Sequence, residues 1–400
     1  MIYESIIIGA GPAGLFAGNI LKKDFIILEK NDVPGKKLLI TGNGMCNITN
    51  ALPKETFYKK YGDKKNYIKK ILNIYSNDDL IKYFESEGIV LIKDKNNKIF
   101  PKSKKASDIL EVLTRNISDK IIYSSPVKRI MKENDVYLVM TENKIYKAKN
   151  IILSTGGKSF PHTGSTGDGY MLASDHNIVI PKPALDSLKM KNFDLKNYSG
   201  ISFPSASLSL LRNNKKIFSD TGSLLITHTG FSGPLILHSS RYFENGDILE
   251  ICFVRTDNTE KTYENFYNFY NRNNKKLKDF YNEFSLPSRL FEFFCSENSV
   301  NPNSFFTNIP KKTYASFLSS FIKRPYKITD YGNWNTAMVT SGGINLKDIN
   351  VNTMESKNKE GFYFAGEVID IDGNTGGYNL QFAFSSAYIA ASAINKKSGF

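Results

Sequence analysis

A glycine-rich hexapeptide near the N-terminus has the spacing of a phosphate-binding turn. Gly9-Ala10-Gly11-Pro12-Ala13-Gly14 follows the β-branched run 6–8 and opens a helix predicted to reach Lys22. In the G-x-G-x-x-G pattern the first glycine makes a tight turn, the second lets backbone amides approach a pyrophosphate, and the third packs helix on strand. Glu29, at the end of the second apolar run, is where a carboxylate accepts hydrogen bonds from a ribose. These residues predict a dinucleotide site, and an acid here disfavours a 2′-phosphate.

A second glycine loop lies near the C-terminus. The apolar run 361–366 leads into Glu367, Asp370 and Asp372, and Gly376-Gly377 precedes a helix predicted from Tyr378 to Asn395. Amides at a helix N-terminus could stabilise negative charge on the N1/C2=O side of a flavin. The carboxylates could bind ribityl hydroxyls. The alternative is an ordinary strand, turn and helix that closes the sheet, so these residues alone do not decide between FAD and NAD.

Two residues are candidates for acid–base chemistry. Cys46 lies in a glycine loop, where a thiol could protonate a carbanion, and its alternative role is that of a small buried packing residue. His228 precedes a predicted helix start with Ser232 as N-cap and Pro234 in the first turn, which would suit a neutral base or a structural histidine. The other three histidines have no metal-ligand spacing, so no metal site is predicted.

Composition indicates a folded, basic protein. The 400 residues carry a formal charge of +14, and the stretch 54–105 contributes 14 Lys against 7 Asp or Glu. Such a block either attracts polyanions or is a solvated lysine-rich face. The three cysteines are far apart, which predicts a reducing, cytoplasmic location without disulfides. The apolar stretch 5–21 contains four glycines and a proline, so no membrane segment is expected.

Periodicity predicts the elements that hold these motifs. A helical stretch up to about Gly88 places Ile68, Ile71, Leu72 and Tyr75 on one face, and strand and hairpin patterns dominate from there to Ser154. Residues 187–254 alternate as in a β-rich domain. Three later stripes have i, i+3, i+4, i+7 spacing, which is typical of a small helical bundle core, although aromatic stripes could also stack nucleic-acid bases. These stripes are Tyr263, Phe266, Tyr267, Tyr270; Leu277, Phe280, Tyr281, Phe284; and Tyr314, Phe317, Leu318, Phe321.

Four long motifs together resemble the YhiN/BaiN-type flavoproteins over the whole chain. They occupy residues 35–50, 154–157 with 164–169, 227–234 and 361–381. The resemblance implies an α/β fold with a Rossmann-like FAD-binding domain of the glutathione-reductase type, an inserted β-barrel-like domain and a small helical domain. The implied division is FAD domain 1–186 and 341–400, β-rich insert 187–257 and 326–340, and helical domain 258–325.

The resemblance also implies non-covalent FAD. The residues implied to bind it are Gly9, Gly11, Pro12, Ala13, Gly14, Glu29, Lys30, Lys37, Thr41, Gly42, Gly44, Asn47, Val127, Thr155, Gly156, Gly157, Gly366, Glu367, Asp370, Gly376, Gly377, Tyr378 and Asn379. Val127, in the strand leading into Lys128, would meet the adenine through its backbone. Met45 departs from the family, whose members often have a basic residue there.

No second G-x-G-x-x-G lies between a strand and a helix, so NAD(P)H is expected at most as a transient electron donor at the flavin face. The loop 164–169 is expected on the flavin side.

Three functions remain open. The first is a dihydrouridine synthase of large-subunit (23S) ribosomal RNA, for which the basic block and the aromatic insert would bind RNA. The second is a small-molecule flavoenzyme, either an aminoacetone-type amine oxidase or an enone reductase. The third is a non-catalytic, RNA-binding flavoprotein. Oligomeric state is not predicted.

Overall fold

The computed structural model describes residues 1–254, 261, 264–266, 268, 275–279, 286–329 and 331–400. The chain forms two compact units. Unit 1 consists of residues 1–183 and 334–400, and unit 2 of residues 184–333. The five-part domain division expected from the sequence stays a prediction.

A nine-stranded sheet forms the centre of unit 1, with the order β18-β19-β20-β9-β1-β2-β6, and β7 and β8 extend it from β9. Two small sheets pair β3-β5-β4 and β10-β17. The strands are β1 (Ile2–Ile8), β2 (Phe25–Leu28), β3 (Thr49–Asn50), β4 (Leu91–Lys93), β5 (Lys98–Pro101), β6 (Ile121–Ile122), β7 (Arg129–Glu133), β8 (Val136–Met140), β9 (Ile145–Leu153), β10 (Ile178–Ala184), β17 (Val339–Ile344), β18 (Ile349–Asn350), β19 (Glu355–Ser356) and β20 (Phe362–Phe364).

The central strands are apolar on both faces, as expected for a parallel sheet covered by helices. All four residues of β2 are buried, and β1 is buried over its last four residues. β1 pairs in parallel with β2 on one side and with β9 on the other. This sheet confirms the expected α/β, Rossmann-like class.

Helices cover this sheet. Those of unit 1 are α1 (Pro12–Ile20), α2 (Lys36–Ile40), α3 (Lys54–Phe57), α4 (Lys65–Ile74), α5 (Asn77–Ser86), α6 (Ala106–Thr114), α7 (Asp168–Leu172) and α11 (Tyr378–Lys397). α1 packs on α11 through the rings of Phe16 and Phe384, whose centroids are 5.1 Å apart. α1 ends at Ile20, so the predicted end at Lys22 was two residues too late. The predicted apolar face of α4 is confirmed, because Ile68, Ile71 and Leu72 are buried.

The prediction that strand patterns dominate between Gly88 and Ser154 is confirmed by β4 to β9, but the helix among them was missed. α6 lies within this stretch and buries Ala106, Ile109, Val112 and Leu113. These positions share one helical face, so the 3.6-residue period was present in the sequence. The surrounding short β-runs obscured it.

Unit 2 contains a six-stranded antiparallel sheet with the order β11-β14-β13-β12-β15-β16. Its strands are β11 (Leu188–Lys189), β12 (Ser202–Arg212), β13 (Lys215–Ile226), β14 (Gly230–Ser232), β15 (Ile248–Cys252) and β16 (Arg324–Lys327). Its helices include α8 (Pro234–Ser239), α9 (Ser288–Glu297) and α10 (Lys311–Ile322). Sheet and helices share one apolar core.

The structure tests two predictions for unit 2, the aromatic core stripes and the N-cap at Ser232. The third aromatic stripe is confirmed as core, because Tyr314, Phe317, Leu318 and Phe321 of α10 are all buried. Of the other two stripes, Phe266 and Leu277 are buried, and the remaining members lie outside the described residues. Ser232 is not an N-cap: it ends β14, and Gly233 caps α8 with a φ of 92° and no side-chain hydrogen bond.

Candidate functional site

The carboxyl ends of five parallel strands meet at one edge of the large sheet. β20, β9, β1, β2 and β6 are paired in that order and run in the same direction. Segments implied to bind the cofactor begin directly after four of them, at Gly9, Glu29, Ser154 and Ala365. Ligands of open parallel sheets bind in the crevice at this edge. The candidate site therefore lies here, within unit 1.

The glycines of the first turn have different surroundings. A Cβ at Gly9, whose φ is +102°, would lie 2.8 Å from the Ser154 carbonyl oxygen, and a Cβ at Gly14 would lie 1.9 Å from the Gly9 oxygen. A Cβ at Gly11 would meet nothing within 4 Å. Gly9 and Gly14 thus close the turn against the protein, whereas Gly11 borders open space. No side chain caps α1, so its first-turn amides face that space.

Glu29 is a buried carboxylate beside this turn, only 6% exposed. Its Oε2 accepts a hydrogen bond from the Ala10 N–H at 2.7 Å, and its Oε1 accepts one from the Asn31 N–H at 2.8 Å. No lysine or arginine among the described residues forms an ion pair with it. Because a carboxylate oxygen accepts more than one hydrogen bond, Glu29 fits the hydroxyls of a ribose.

The loop 164–169 lies beside Glu29. Lys30 Nζ donates to Asp168 Oδ2 at 2.6 Å, and Asn31 Nδ2 donates to the Thr163 carbonyl at 3.2 Å. The structure therefore places this loop next to the predicted ribose site, and the loop also packs on the 155–157 turn, since a Cβ at Gly169 would lie 2.0 Å from Thr155 Oγ1. Its place on the flavin side stays a prediction. The ammonium group of Lys30 is bound by Asp168.

Val127 also lies near Glu29. The sequence predicts Val127 in a strand, but the residue belongs to the loop before β7. In this loop the Ser125 N–H donates to the Glu29 carbonyl at 2.8 Å. The backbone N–H and C=O of Val127 have no hydrogen-bond partner among the described residues, so both are available to an adenine.

The loop 42–47 joins the glycine loop before α11. Gly42, Asn43, Gly44 and Cys46 all have φ between 55° and 82°, and the Cys46 N–H donates to the Thr41 carbonyl at 3.0 Å. The Asn47 amide oxygen, oriented toward Gly377, accepts from its N–H at 3.0 Å. A Cβ at Gly377 would lie 2.5 Å from the Thr49 carbonyl, so only glycine allows this approach.

The start of α11 is fixed by its own surroundings. The Tyr378 carbonyl accepts a hydrogen bond from the hydroxyl of the buried Tyr61 at 2.7 Å. Asn379 Oδ1 accepts from the Gly373 N–H at 2.8 Å. These contacts hold the glycine loop and the helix N-terminus, where no side chain caps the helix.

A polar cluster links three of the loops. Lys37 Nζ donates to Ser159 Oγ at 2.6 Å and to Glu367 Oε2 at 2.7 Å. The Thr340 N–H donates to Glu367 Oε1 at 2.7 Å, and Ser159 Oγ donates to the same oxygen at 3.1 Å. Sequence reasoning missed Ser159 and Thr340. No local pattern marks them, because Ser159 lies 208 residues from Glu367 in the chain and Thr340 lies in a different strand.

Asp370 forms a second lysine–carboxylate pair. It is 4% exposed and accepts from Lys64, a member of the basic block. Burial raises the pKa of Asp370, against the opposing effect of Lys64. Glu367 and Asp370, two of the carboxylates predicted to bind ribityl hydroxyls, are thus each paired with a lysine.

These residues fit FAD. Cβ atoms at Gly11 and Gly44 would meet no atom closer than 3.8 Å, and one at Gly156 would meet only Ser165 Oγ, at 3.3 Å. All three lie in loops at the carboxyl edge, so a cofactor can approach their backbone. The uncapped first turn of α1 suits an anionic pyrophosphate, and the buried Glu29 suits its ribose.

The two candidate acid–base residues lie in different units. Cys46 is fully buried in the core of unit 1, and burial raises the pKa of its thiol to about 12. A side chain that lines an open site would retain exposed surface, so this placement favours the packing alternative. His228 is exposed in the turn between β13 and β14 of unit 2. Its catalytic role stays a prediction.

Within the described residues, no group of three or more His, Cys, Asp or Glu side chains could hold a metal ion. Over the same residues, no helix is long and apolar enough to cross a membrane.

Comparison with known proteins identifies relatives over the full length. A family model described as HI0933-like protein Rossmann domain matches residues 3–393. The chain is 32% identical to a ribosomal RNA dihydrouridine synthase from Haemophilus influenzae, with 98% of this chain and 99% of the relative aligned. It is 26% identical to a 3-dehydro-bile acid delta(4,6)-reductase from Clostridium scindens, with 98% of each aligned.

Among solved structures, the open conformation of a flavocytochrome c3 fumarate reductase matches with a TM-score of 0.50. That match covers 100% of this chain and 79% of the other, at 14% identity. At this identity the likeness concerns the fold alone.

The different surroundings of Gly11 and Gly14 predict two distinct defects. Gly11→Leu should fold normally but bind little FAD, because its side chain would enter the open space in front of α1. Gly14→Ala should lower the free energy of unfolding by about 1–3 kcal/mol, because its Cβ would overlap the Gly9 carbonyl. Visible flavin absorbance per protein measures the first effect, and urea unfolding of flavin-free protein measures the second. Flavin retention by Gly11→Leu would contradict the prediction that FAD occupies the open space beside Gly11.

The burial of Cys46 predicts that its thiol is not needed for proton transfer. Cys46→Ala should retain its turnover and lose about 1 kcal/mol of stability through lost packing. Removal of a general acid would instead slow turnover by about 100-fold or more. Single-turnover flavin reoxidation distinguishes these results. A 100-fold slower reoxidation in Cys46→Ala would show that Cys46 is the general acid.

Proposed function

The chain belongs to the HI0933-like Rossmann-domain family and is an FAD-dependent oxidoreductase, and on this premise we propose that it reduces a uridine of large-subunit (23S) ribosomal RNA to dihydrouridine. The observation that carries the proposal is the 32% identity, over 98% of the chain, to a relative named for this activity. The lysine surface of unit 1 supports it independently.

The proposed reaction adds a hydride and a proton across the C5=C6 bond of uracil. Reduced FAD, when bound, would supply the hydride, and water or a protein acid would supply the proton. The first-turn amides of α1 would hold the pyrophosphate, and Glu29 would accept hydrogen bonds from the ribose hydroxyls. The uncapped N-terminus of α11 lies beside the loop 42–47, and its amides and dipole would stabilise negative charge there. NAD(P)H is the proposed electron donor, docking transiently.

The lysines of the basic block are available to a polyanion. Ten of the 14 lysines between residues 54 and 105 are exposed. Among the described residues, only Lys64 of these 14 forms an ion pair. Unpaired exposed cations bind phosphates without first breaking an intramolecular contact. This favours the interpretation that the block attracts polyanions.

Two lysine-rich segments adjoin the cofactor loops directly. The Ala106 N–H donates to the Gly44 carbonyl at 2.8 Å, directly after the exposed Lys102, Lys104 and Lys105. We call these three lysines the lysine rim. On the other segment, the Lys60 carbonyl accepts from the Asn374 N–H at 2.9 Å. An RNA strand bound by these cations would pass beside the flavin loops.

The second candidate function is reduction of a small conjugated enone. One observation favours it: a relative aligned over 98% of both chains is named as a bile acid reductase. Both candidates add a hydride to a carbon–carbon double bond conjugated with a carbonyl group, so the same cofactor edge serves either.

Mapping of ribosomal RNA tests the choice of substrate. Cells that lack this protein should lose one dihydrouridine from large-subunit RNA, and wild-type protein should restore it. Gly11→Leu, which is expected to fold without FAD, should not. Mass spectrometry of nuclease fragments measures the modification. Unchanged dihydrouridine in the deletion strain would refute the RNA proposal, and turnover of a steroid enone by the purified protein would then establish the alternative.

Neutralising the lysine rim should weaken RNA binding without loss of flavin. In the triple Lys→Gln variant of Lys102, Lys104 and Lys105, the slope of log affinity against log salt should fall by about two, since each phosphate contact to a single strand contributes about 0.7. Fluorescence anisotropy of a large-subunit RNA fragment measures this slope.

A matched control removes the same charge from the opposite edge of the sheet. Lys22, Lys144 and Lys147 are exposed and lie at the amino ends of β2 and β9. Their triple Lys→Gln variant should leave the slope nearly unchanged. Equal slopes for both variants would mean that RNA responds only to net charge.

A further inference from the structure

An aromatic and cationic cluster adjoins the polar cluster around Glu367, within unit 1. Trp334, the single tryptophan of the chain, is half-buried, and Lys158 Nζ lies 5.2 Å from the centre of its ring. The Phe160 N–H donates to the Trp334 carbonyl at 2.7 Å. The half-buried Phe160 ring in turn packs edge-on against the exposed His162, with centroids 5.7 Å apart. We call Lys158, Phe160 and Trp334 the Trp334 platform.

The backbone of the platform is held in an unusual conformation. Phe160 has φ 54° and ψ 59°, which is rare for a bulky residue and unfavourable without compensating contacts. Strained non-glycine residues concentrate at ligand-binding and active sites. The hydrogen bond from the Phe160 N–H to the Trp334 carbonyl compensates for this conformation and joins the two aromatic residues before any ligand binds.

The platform is fixed to the candidate cofactor site by its neighbours in the chain. Ser159, between Lys158 and Phe160, contacts both Lys37 and Glu367. The Lys158 N–H donates to Thr340 Oγ1 at 2.7 Å, and Gly157 packs directly on the same threonine. The platform therefore follows immediately on the 155–157 turn that is implied to bind flavin.

From this arrangement we infer that Trp334 and Phe160 are the residues on which the target pyrimidine base stacks. The inference rests on the proposed RNA function and adds the residues that recognise the base. Bases stack on aromatic side chains once they leave the RNA stack. Lys158 orders the indole ring and supplies a positive charge beside it. A steroid skeleton would require a larger, mostly apolar pocket, whereas this cluster combines two rings with a lysine and a histidine.

The single tryptophan allows a direct test. Excitation at the red edge of protein absorption selects Trp334 over the 22 tyrosines. Holoenzyme titrated with octauridylate should show quenching of Trp334 emission as the base stacks. An abasic octamer carries the same phosphates, so it should bind through the lysines without quenching. The bound flavin is the same in both titrations and contributes a constant background.

Variants of the platform test its role in turnover. Trp334→Leu should raise KM for large-subunit RNA by about 5- to 100-fold, the range expected from loss of one stacked base, with a smaller change in kcat. Trp334→Phe should restore most of the loss, because it retains an aromatic face. The control is Phe400→Leu, since Phe400 is 63% exposed and has its own lysine, Lys23, 5.6 Å from the ring centre. Lys23 lies at the amino edge of β2, so this control should change nothing.

The outcomes separate this inference from the proposed function. Equal quenching by the abasic octamer, or no quenching by octauridylate, would overturn the stacking role. So would an unchanged KM in Trp334→Leu while dihydrouridine still forms. If wild-type enzyme forms no dihydrouridine, the proposed function fails. Quenching by a steroid enone but not by octauridylate would assign the platform to a small-molecule substrate and overturn the inference.

Discussion

The candidate site depends on the parallel pairing of β9 with β1 on one side and with β20 on the other. These strands come from the beginning, the middle and the end of the chain. Their pairing brings the Gly9 turn so close to β9 that a Cβ atom at Gly9 would lie 2.8 Å from the Ser154 carbonyl oxygen. Such an approach is open only to glycine, so the sequence of the turn and the position of β9 constrain each other. The cofactor cradle is therefore a consequence of sheet order, and no single loop forms it alone.

Lysine–carboxylate pairs fix the loops that the sheet brings together. Lys37 and Glu367 are 330 residues apart in the chain, and Lys64 and Asp370 are 306 apart. Each pair is partly or fully buried, where an unpaired carboxylate would be unfavourable. The ion pairs therefore hold the carboxyl edge in shape without a ligand. Glu29 is the exception, because it is buried without an ion-pair partner among the described residues, and this suits a carboxylate that receives hydroxyl donors.

The parts of the site that the sequence could predict are local. The turn from Gly9 to Gly14 and the acid at Glu29 lie within one strand–turn–helix–strand unit. The geometry of this unit sets the spacing of these residues in the sequence, so the spacing predicts it. The partners of Glu367 could not be predicted in this way, because Lys37 and Ser159 lie 330 and 208 residues away in the chain and Thr340 belongs to another strand. The N-cap prediction at Ser232 was wrong for a different reason. Gly233 adopts a φ of 92°, and this moves the helix start one residue along.

The division between strands and loops explains how one cofactor edge can serve different substrates. The residues implied to hold FAD follow the ends of buried strands, and their backbone positions are set by packing. The exposed lysine rim and the half-buried Trp334 platform lie in turns outside the strands of the large sheet, where side chains can change without disturbing that sheet. Two relatives of nearly equal length, one named for ribosomal RNA and one for a bile acid, are consistent with substrate choice residing in these turns. In this chain the turns carry unpaired lysines and a pre-ordered indole, and that combination suits a base attached to phosphates better than a neutral steroid.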